Sequence, residues 1–172
     1  MGRVSQAQAQ ENRGRIVETA ARLFRERGVD GVSVADVMAE VGLTHGGFYK
    51  QFASKDALVA EAVDRAFADT RERLAGTERA AFVDWYLSAA HRDDPGAGCP
   101  AAGFGGDMAR EDASSAALTA YASGIDLYAR WLGDDLAAVS TLVGAMTIAR
   151  ATAGTELSDR VLQAAKAALS DG

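Results

Sequence analysis

The chain has 172 residues, 48% of them hydrophobic and 24% charged, with one cysteine and two prolines. This is ordinary globular composition that leaves helix open almost everywhere and excludes an internal disulfide. The net charge of −6 is unevenly divided: residues 1–60 carry eight Lys/Arg against seven Asp/Glu, and residues 61–172 carry ten against seventeen. A neutral-to-basic head on an acidic body is what a nucleic-acid-binding module joined to a different module shows.

Met1–Gln10 is polar, lacks the apolar centre of a secretory signal and reads as a disordered tail, with Arg3 a candidate phosphate contact. No stretch approaches about 18 uninterrupted apolar residues, so no membrane partner and a cytoplasmic location are expected. From Glu11 to Arg27 the apolar residues Ile16, Ala20, Leu23 and Phe24 share one helical face, and Gly28 follows as a stop. Ser33 with Asp36 forms a capping-box-like start for a helix carrying Val34, Val37, Met38 and Val41. Gly42 permits a tight reversal, and Thr44 is placed to cap a short helix, His45–Gln51. Ser54 caps the next helix, which runs to about Leu74. Two short helices meeting at a glycine make a helix-turn-helix, with Phe48 and Phe52 turned inward and the opposite face free for the major groove.

Beyond Gly76 the pattern predicts helices at about Glu78–Ala90, Gly106–Arg110, Ser114–Leu132, Asp134–Ala151 and Glu156–Leu169, with a glycine-rich loop over His91–Gly106. The fold class is therefore all-α: a three-helix head (11–53) and a helical-bundle body (54–172), joined by the helix 54–74. No metal-ligand cluster, phosphate-binding glycine loop or catalytic constellation is present, so no cofactor and no enzymatic activity are expected. Two rival readings remain open: a thiol-dependent enzyme using Cys99 and His91, and a helical adaptor that does not bind DNA.

Residues 15–60 resemble the DNA-binding domain of the TetR family, most specifically in the stretch Val41-Gly42-Leu43-Thr44-His45-Gly46-Gly47-Phe48-Tyr49-Lys50-Gln51-Phe52-Ala53-Ser54-Lys55-Asp56-Ala57-Leu58. The resemblance implies a homodimeric regulator, usually a repressor, that leaves a palindromic double-stranded operator when a small molecule binds its body. It further implies that Thr44, Tyr49 and Lys55 contact phosphates and that His45, Gly46 and Lys50 lie nearest the base edges. The glycines at 46 and 47 depart from the commoner residues of the motif and weaken a helix by roughly 1 kcal/mol each; they suit close approach of backbone to DNA.

In the body, Trp85, Tyr86, Phe104, Met108, Tyr121 and Tyr128 either line an effector pocket or form an ordinary aromatic core, and periodicity leaves both open. The Gly98-Cys99-Pro100 segment is similar to one in a branch of the family whose cysteine senses electrophiles or oxidants. His91 and Arg92 are candidates for holding such a thiol partly ionised; the alternative is a small buried hydrophobe. The last two helices resemble the family's dimer interface, with one stripe of Leu136, Val139, Val143, Met146 and Thr147. The other stripe is Val161, Leu162, Ala165 and Leu169; the alternative is that both stripes pack within a single chain as an intramolecular bundle.

Overall fold

The structure is a computed structural model that describes residues 6–170; Arg3 lies outside them. All regular structure among the described residues is helical. The head contains α1 (Gln6–Arg27), α2 (Val34–Glu40) and α3 (His45–Phe48), followed by α4 (Lys55–Leu74). The body continues with α5 (Arg79–Tyr86), α6 (Ala89–Asp93), α7 (Pro100–Met108), α8 (Ala116–Trp131), α9 (Leu136–Ala151) and α10 (Glu156–Ser170). No single helix among the described residues is long and apolar enough to cross a membrane.

The head follows its local signals. Ile16, Ala20, Leu23 and Phe24 form the buried face of α1. Ser33 completes both halves of a capping box: its hydroxyl accepts from the Asp36 amide (3.2 Å), and the Asp36 carboxylate accepts from the Ser33 amide (2.8 Å). Gly42 turns the chain between α2 and α3 at φ +72°, a conformation costly for residues with a Cβ. The Ser54 hydroxyl accepts from the Ala57 amide at 3.1 Å and starts α4.

Helix α4 carries one unbroken buried face, including Leu58, Ala62, Ala66, Phe67, Thr70 and Leu74. It packs along both α1 and α8. Ion pairs Arg13–Glu61 and Arg65–Glu18 (2.9 Å) tie it to α1, and Phe67 meets the Tyr121 and Tyr128 rings of α8 edge-on. Gly124 permits that approach, because a Cβ there would fall inside the Phe67 ring. Helices α9 and α10 pack together, with the buried Ser158 hydroxyl donating to the Ala149 carbonyl at 2.7 Å. One apolar core runs from Ile16 to Ala165 through head and body.

Four expectations need correction. Residues 6–10 are the first turns of α1 rather than tail, since Gln and Ala propagate helix well. The helix expected over 45–51 ends at Phe48, with Tyr49 as its C-cap; two glycines leave it a poor helix former. The helix expected over 78–90 breaks at Leu87–Ser88, where the Ser88 hydroxyl accepts from the His91 amide and caps α6. The expected loop over 91–106 holds most of α6 and α7, and the helix placed at 106–110 begins at Pro100 instead. Pro100 occupies the first helical position, where its missing N–H costs nothing. Buried Ala101, Phe104 and Met108 then outweigh the low propensity of Gly103, Gly105 and Gly106.

His91 joins these short elements. Its Nδ1–H donates to the Tyr86 carbonyl at 2.7 Å and its Nε2 accepts from the Cys99 amide at 2.9 Å. The ring also stacks on Trp85 at 4.6 Å. Both hydrogen bonds are satisfied by a neutral imidazole with its proton on Nδ1. Burial lowers the His91 pKa from 6.5 to about 4, with Arg150 adding to the effect against the opposing pull of the Tyr86 carbonyl.

Two predictions follow from this packing. Gly124→Ala should cost about 1–3 kcal/mol through overpacking against Phe67; an unchanged thermal midpoint would refute the close-contact account. Because the folded state disfavours the His91 proton, its contribution should be complete above pH 6.5 and fade as pH falls toward 4. The fade amounts to about 3 kcal/mol. Urea unfolding should therefore show the stability gap between wild type and His91→Gln narrowing from pH 7 to pH 4; a constant gap would refute it.

Candidate DNA-binding surface and effector cavity

The far end of the head presents a compact polar surface. Phe48 is buried and stacks on buried Phe52 with ring centroids 5.3 Å apart. The Arg13 guanidinium lies over Phe52 at 4.1 Å and donates to the Gln51 carbonyl. On this fixed base, Thr44, His45, Gly46, Tyr49 and Lys50 are all exposed, and the Tyr49 ring is 63% accessible with its edge against His45. Nothing lies near the missing Cβ of Gly46, so the backbone there is open to a close partner. Thr44 stands at the N-cap position in an extended conformation, but its hydroxyl makes no capping bond, contrary to expectation. Lys55 is half-buried, and its ammonium donates to the Val29 carbonyl at 2.7 Å, tying the start of α4 to the α1–α2 turn.

In the body, a cavity of about 250 Å³ opens between α4, α5, the start of α7 and α8. Thr70, Arg73 and Leu74 form one wall, Ala81, Phe82 and Trp85 another, with Thr77, Cys99 and Tyr128 closing it. Of the residues anticipated for a pocket, Trp85, Cys99 and Tyr128 are there. The other four are elsewhere. Phe104 and Met108 are buried on the core face of α7. The Tyr121 hydroxyl donates to the Ala101 carbonyl at 2.8 Å, and burial pushes its pKa up to about 12. Tyr86 lies behind the cavity against Leu132, Val139 and Leu142. Its hydroxyl is buried with no hydrogen-bond partner among the described residues. Burial first, then the neighbouring Cys99 and Tyr128, raises the Tyr86 pKa well above the usual phenol value. The sequence reading missed Thr70, Arg73, Thr77 and Phe82, although Thr70, Arg73, Leu74 and Thr77 recur at helical spacing.

Cys99 is buried, and its Sγ lies 3.2 Å from the Tyr128 hydroxyl. The partners anticipated for its thiol are otherwise engaged. His91 is neutral and accepts from the Cys99 backbone amide, which leaves no thiol–imidazole dyad of the kind nucleophilic catalysis uses. Arg92 turns away to Asp93 (2.7 Å), Ser158 (3.0 Å) and Asp159 (2.7 Å). Arg150 comes nearer, donating to the His91 carbonyl at 3.0 Å. No group of three or more His, Cys, Asp or Glu among the described residues is arranged to hold a metal.

The stripes anticipated for dimer contact divide. Val139, Met146 and Leu162 are buried in the chain's own core and have no surface left for a partner, which corrects their assignment. Val143, Val161 and Leu169 are partly buried at its margin. Leu136 (60% accessible) and Thr147 of the anticipated stripe do face outward, and the outward face of α9 and α10 adds Ile148 (50%), Leu157 and Gly144, whose Cβ position is open.

Residues 16–62 match the family model described as bacterial regulatory proteins, tetR family. The HTH-type transcriptional regulator TtgR of Pseudomonas putida is 37% identical over 75 residues, 44% of this chain and 35% of that protein. The HTH-type transcriptional repressor KstR2 of Mycobacterium tuberculosis is 39% identical over 69 residues, 40% of this chain and 34% of that protein. The matched segment thus spans about a third of the length of these relatives. Likeness over the whole chain is structural. A TetR transcriptional regulator from Chloroflexus aurantiacus superposes with a TM-score of 0.72 at 25% identity, covering 96% of each chain. A TetR-family regulator from Cytophaga hutchinsonii gives 0.74 at 20% identity, covering 99% of this chain and 98% of that one. Residues 16–62 thus carry the tetR-family domain, and over its whole length the chain has the fold of the TetR-family regulators compared with it.

Proposed function

We propose that the protein is a homodimeric transcriptional repressor that binds a palindromic operator and releases it when a small molecule enters the body cavity. The observation that carries the DNA-binding reading is the exposed Thr44, His45, Gly46, Tyr49 and Lys50 on a buried Phe48–Phe52 base. Thr44 and Tyr49 offer hydroxyls to phosphate oxygens, and Lys50 offers N–H donors to guanine O6 or N7. Lys55 spends one of its three donors on Val29, and the remaining two are directed to phosphate. The outward face of α9 and α10 pairs with its copy in the dimer, which sets the two heads in successive major grooves about 34 Å apart. The effector acts by favouring a body conformation in which that spacing is wrong, to the extent of its differential affinity for the two states.

A second reading concerns the thiol. Cys99 lines the cavity, so a thiol-reactive electrophile or oxidant that enters would meet it, and an adduct there would displace Tyr128. Cys99→Ser separates the two: full release of DNA by every active compound in this variant would end the thiol reading and leave reversible binding.

Selection of random duplex DNA should enrich a palindrome whose binding weakens steeply with salt. Recovery of no site at any salt concentration would overturn the repressor reading. Lys50→Ala should relax base preference, whereas Lys55→Ala should weaken all sites alike and reduce the salt slope by about 1; equal losses on all sequences from Lys50→Ala would refute its base-reading role. Ile148→Asp should give monomers in sedimentation and at least tenfold weaker operator binding, and an intact dimer would reject the α9–α10 interface.

A further inference from the structure

Three guanidiniums gather around the cavity and Cys99: Arg25 from α1, Arg73 from α4 and Arg150 from α9. None of them forms an ion pair among the described residues, although most other arginines there do. Their N–H groups go to backbone carbonyls instead. Arg25 donates to Gly96 (2.9 Å from Nε), Arg73 to Ala97 (3.1 Å), and Arg150 to His91 (3.0 Å) and Arg92 (3.3 Å). The nearest carboxylates are committed elsewhere: Asp69 pairs with Arg65 at 2.8 Å, and Asp94 accepts from the Ala97 amide at 3.1 Å. Burial lowers the pKa of Arg25, which the adjacent Arg73 depresses further, and burial likewise lowers that of Arg150. Arg25 and Arg150 are partly buried and Arg73 is exposed, with Asp69 acting on Arg25 and Asp94 on Arg150 through space rather than by direct pairing.

Arg73 is the member of this cluster that lines the cavity, where it lies over the Trp85 ring at 5.6 Å. The remaining walls are chiefly rings and aliphatic carbon: Phe82, Trp85, Tyr128 and Leu74. The Thr77 hydroxyl donates to the Arg73 carbonyl at 2.7 Å, which holds the guanidinium's own turn of chain in place. At about 250 Å³ the space is below the usual range for drug-sized ligands, which favours a compact molecule of one or two rings.

We propose that the effector is a small aromatic carboxylate, its ring between Trp85, Phe82 and Tyr128 and its carboxylate on Arg73. A guanidinium recognises a carboxylate through two parallel N–H···O bonds, which a neutral amide cannot reproduce. The consequence for DNA release rests on the repressor reading; the binding itself does not.

The test uses the full chain without DNA and three matched pairs: benzoate and benzamide, cinnamate and cinnamamide, indole-3-acetate and indole-3-acetamide. Trp131→Phe provides a background in which the remaining tryptophan, Trp85, reports occupancy by fluorescence quenching. The expected result is saturable quenching and a raised thermal midpoint with at least one carboxylate, its amide binding at least tenfold more weakly. Arg73→Met should abolish the preference while retaining amide-level binding, which shows that the cavity is intact. No saturable response to any of the three carboxylates, an amide equal to its acid, or a preference that survives Arg73→Met would each overturn the proposal. Operator binding measured separately on the same preparation reports on the repressor reading alone, so either can fail without the other.

Discussion

Helix α4 must satisfy two packing partners with a single buried face. Leu58 and Ala62 belong to the same unbroken stripe as Phe67, Thr70 and Leu74, while α1 and α8 both lie against the helix. Its start is fixed to the head by the Ser54 cap and by the bond from Lys55 to the Val29 carbonyl. Its last turns supply Thr70, Arg73 and Leu74 to the cavity wall. Close-packed interiors do not absorb displacement by local compression. The cavity wall and the turn before α2 are thus joined by one continuously packed helix. The contact of Gly124 with Phe67 removes slack from the α8 side of the same helix.

A second connection runs through backbone rather than apolar packing. The segment from Asp94 to Cys99 is rich in glycine, yet it is held from several sides. Arg25 of α1 reaches Gly96, Arg73 of α4 reaches Ala97, and His91 of α6 holds the Cys99 amide. Gly98 leaves no room for a side chain, because a Cβ would collide with Arg150, the Asp94 carbonyl and His91. The Gly96 and Ala97 carbonyls accept from guanidiniums that have no carboxylate, so the segment acts as a polar keystone between α1, α4 and α6. It also explains why Cys99 lies against Tyr128 at one end of a chain of contacts whose other end is the head.

The division between legible and illegible features follows the range of the interactions. The capping box at Ser33–Asp36, the Ser54 cap and the reversal at Gly42 depend on residues within three or four positions of one another, and all were readable in the sequence. The inward pair Phe48 and Phe52 was readable for the same reason. Thr44 stood at the expected cap position without the expected bond, since an N-cap backbone does not oblige the side chain to take part. The partial success at the pocket is similar: aromatic residues were recognised as a set, but rotation of each helix decided that Trp85 and Tyr128 face the cavity while Phe104 and Tyr121 do not.

By itself, the sequence determined the all-α fold, the helix-turn-helix with its turn and caps, and the outward residues of the head, because each rests on local periodicity and short-range hydrogen bonds. Only the tertiary structure decided that the glycine-rich stretch 91–106 holds much of two short helices and that α1 begins at Gln6. It alone turned Val139, Met146 and Leu162 inward and left Ile148 and Leu136 outside. The positive cluster of Arg25, Arg73 and Arg150 likewise assembles from three helices distant in sequence. Burial, close approach and charge compensation are set by which elements meet, and a chain's local pattern carries no record of the partners its helices will find.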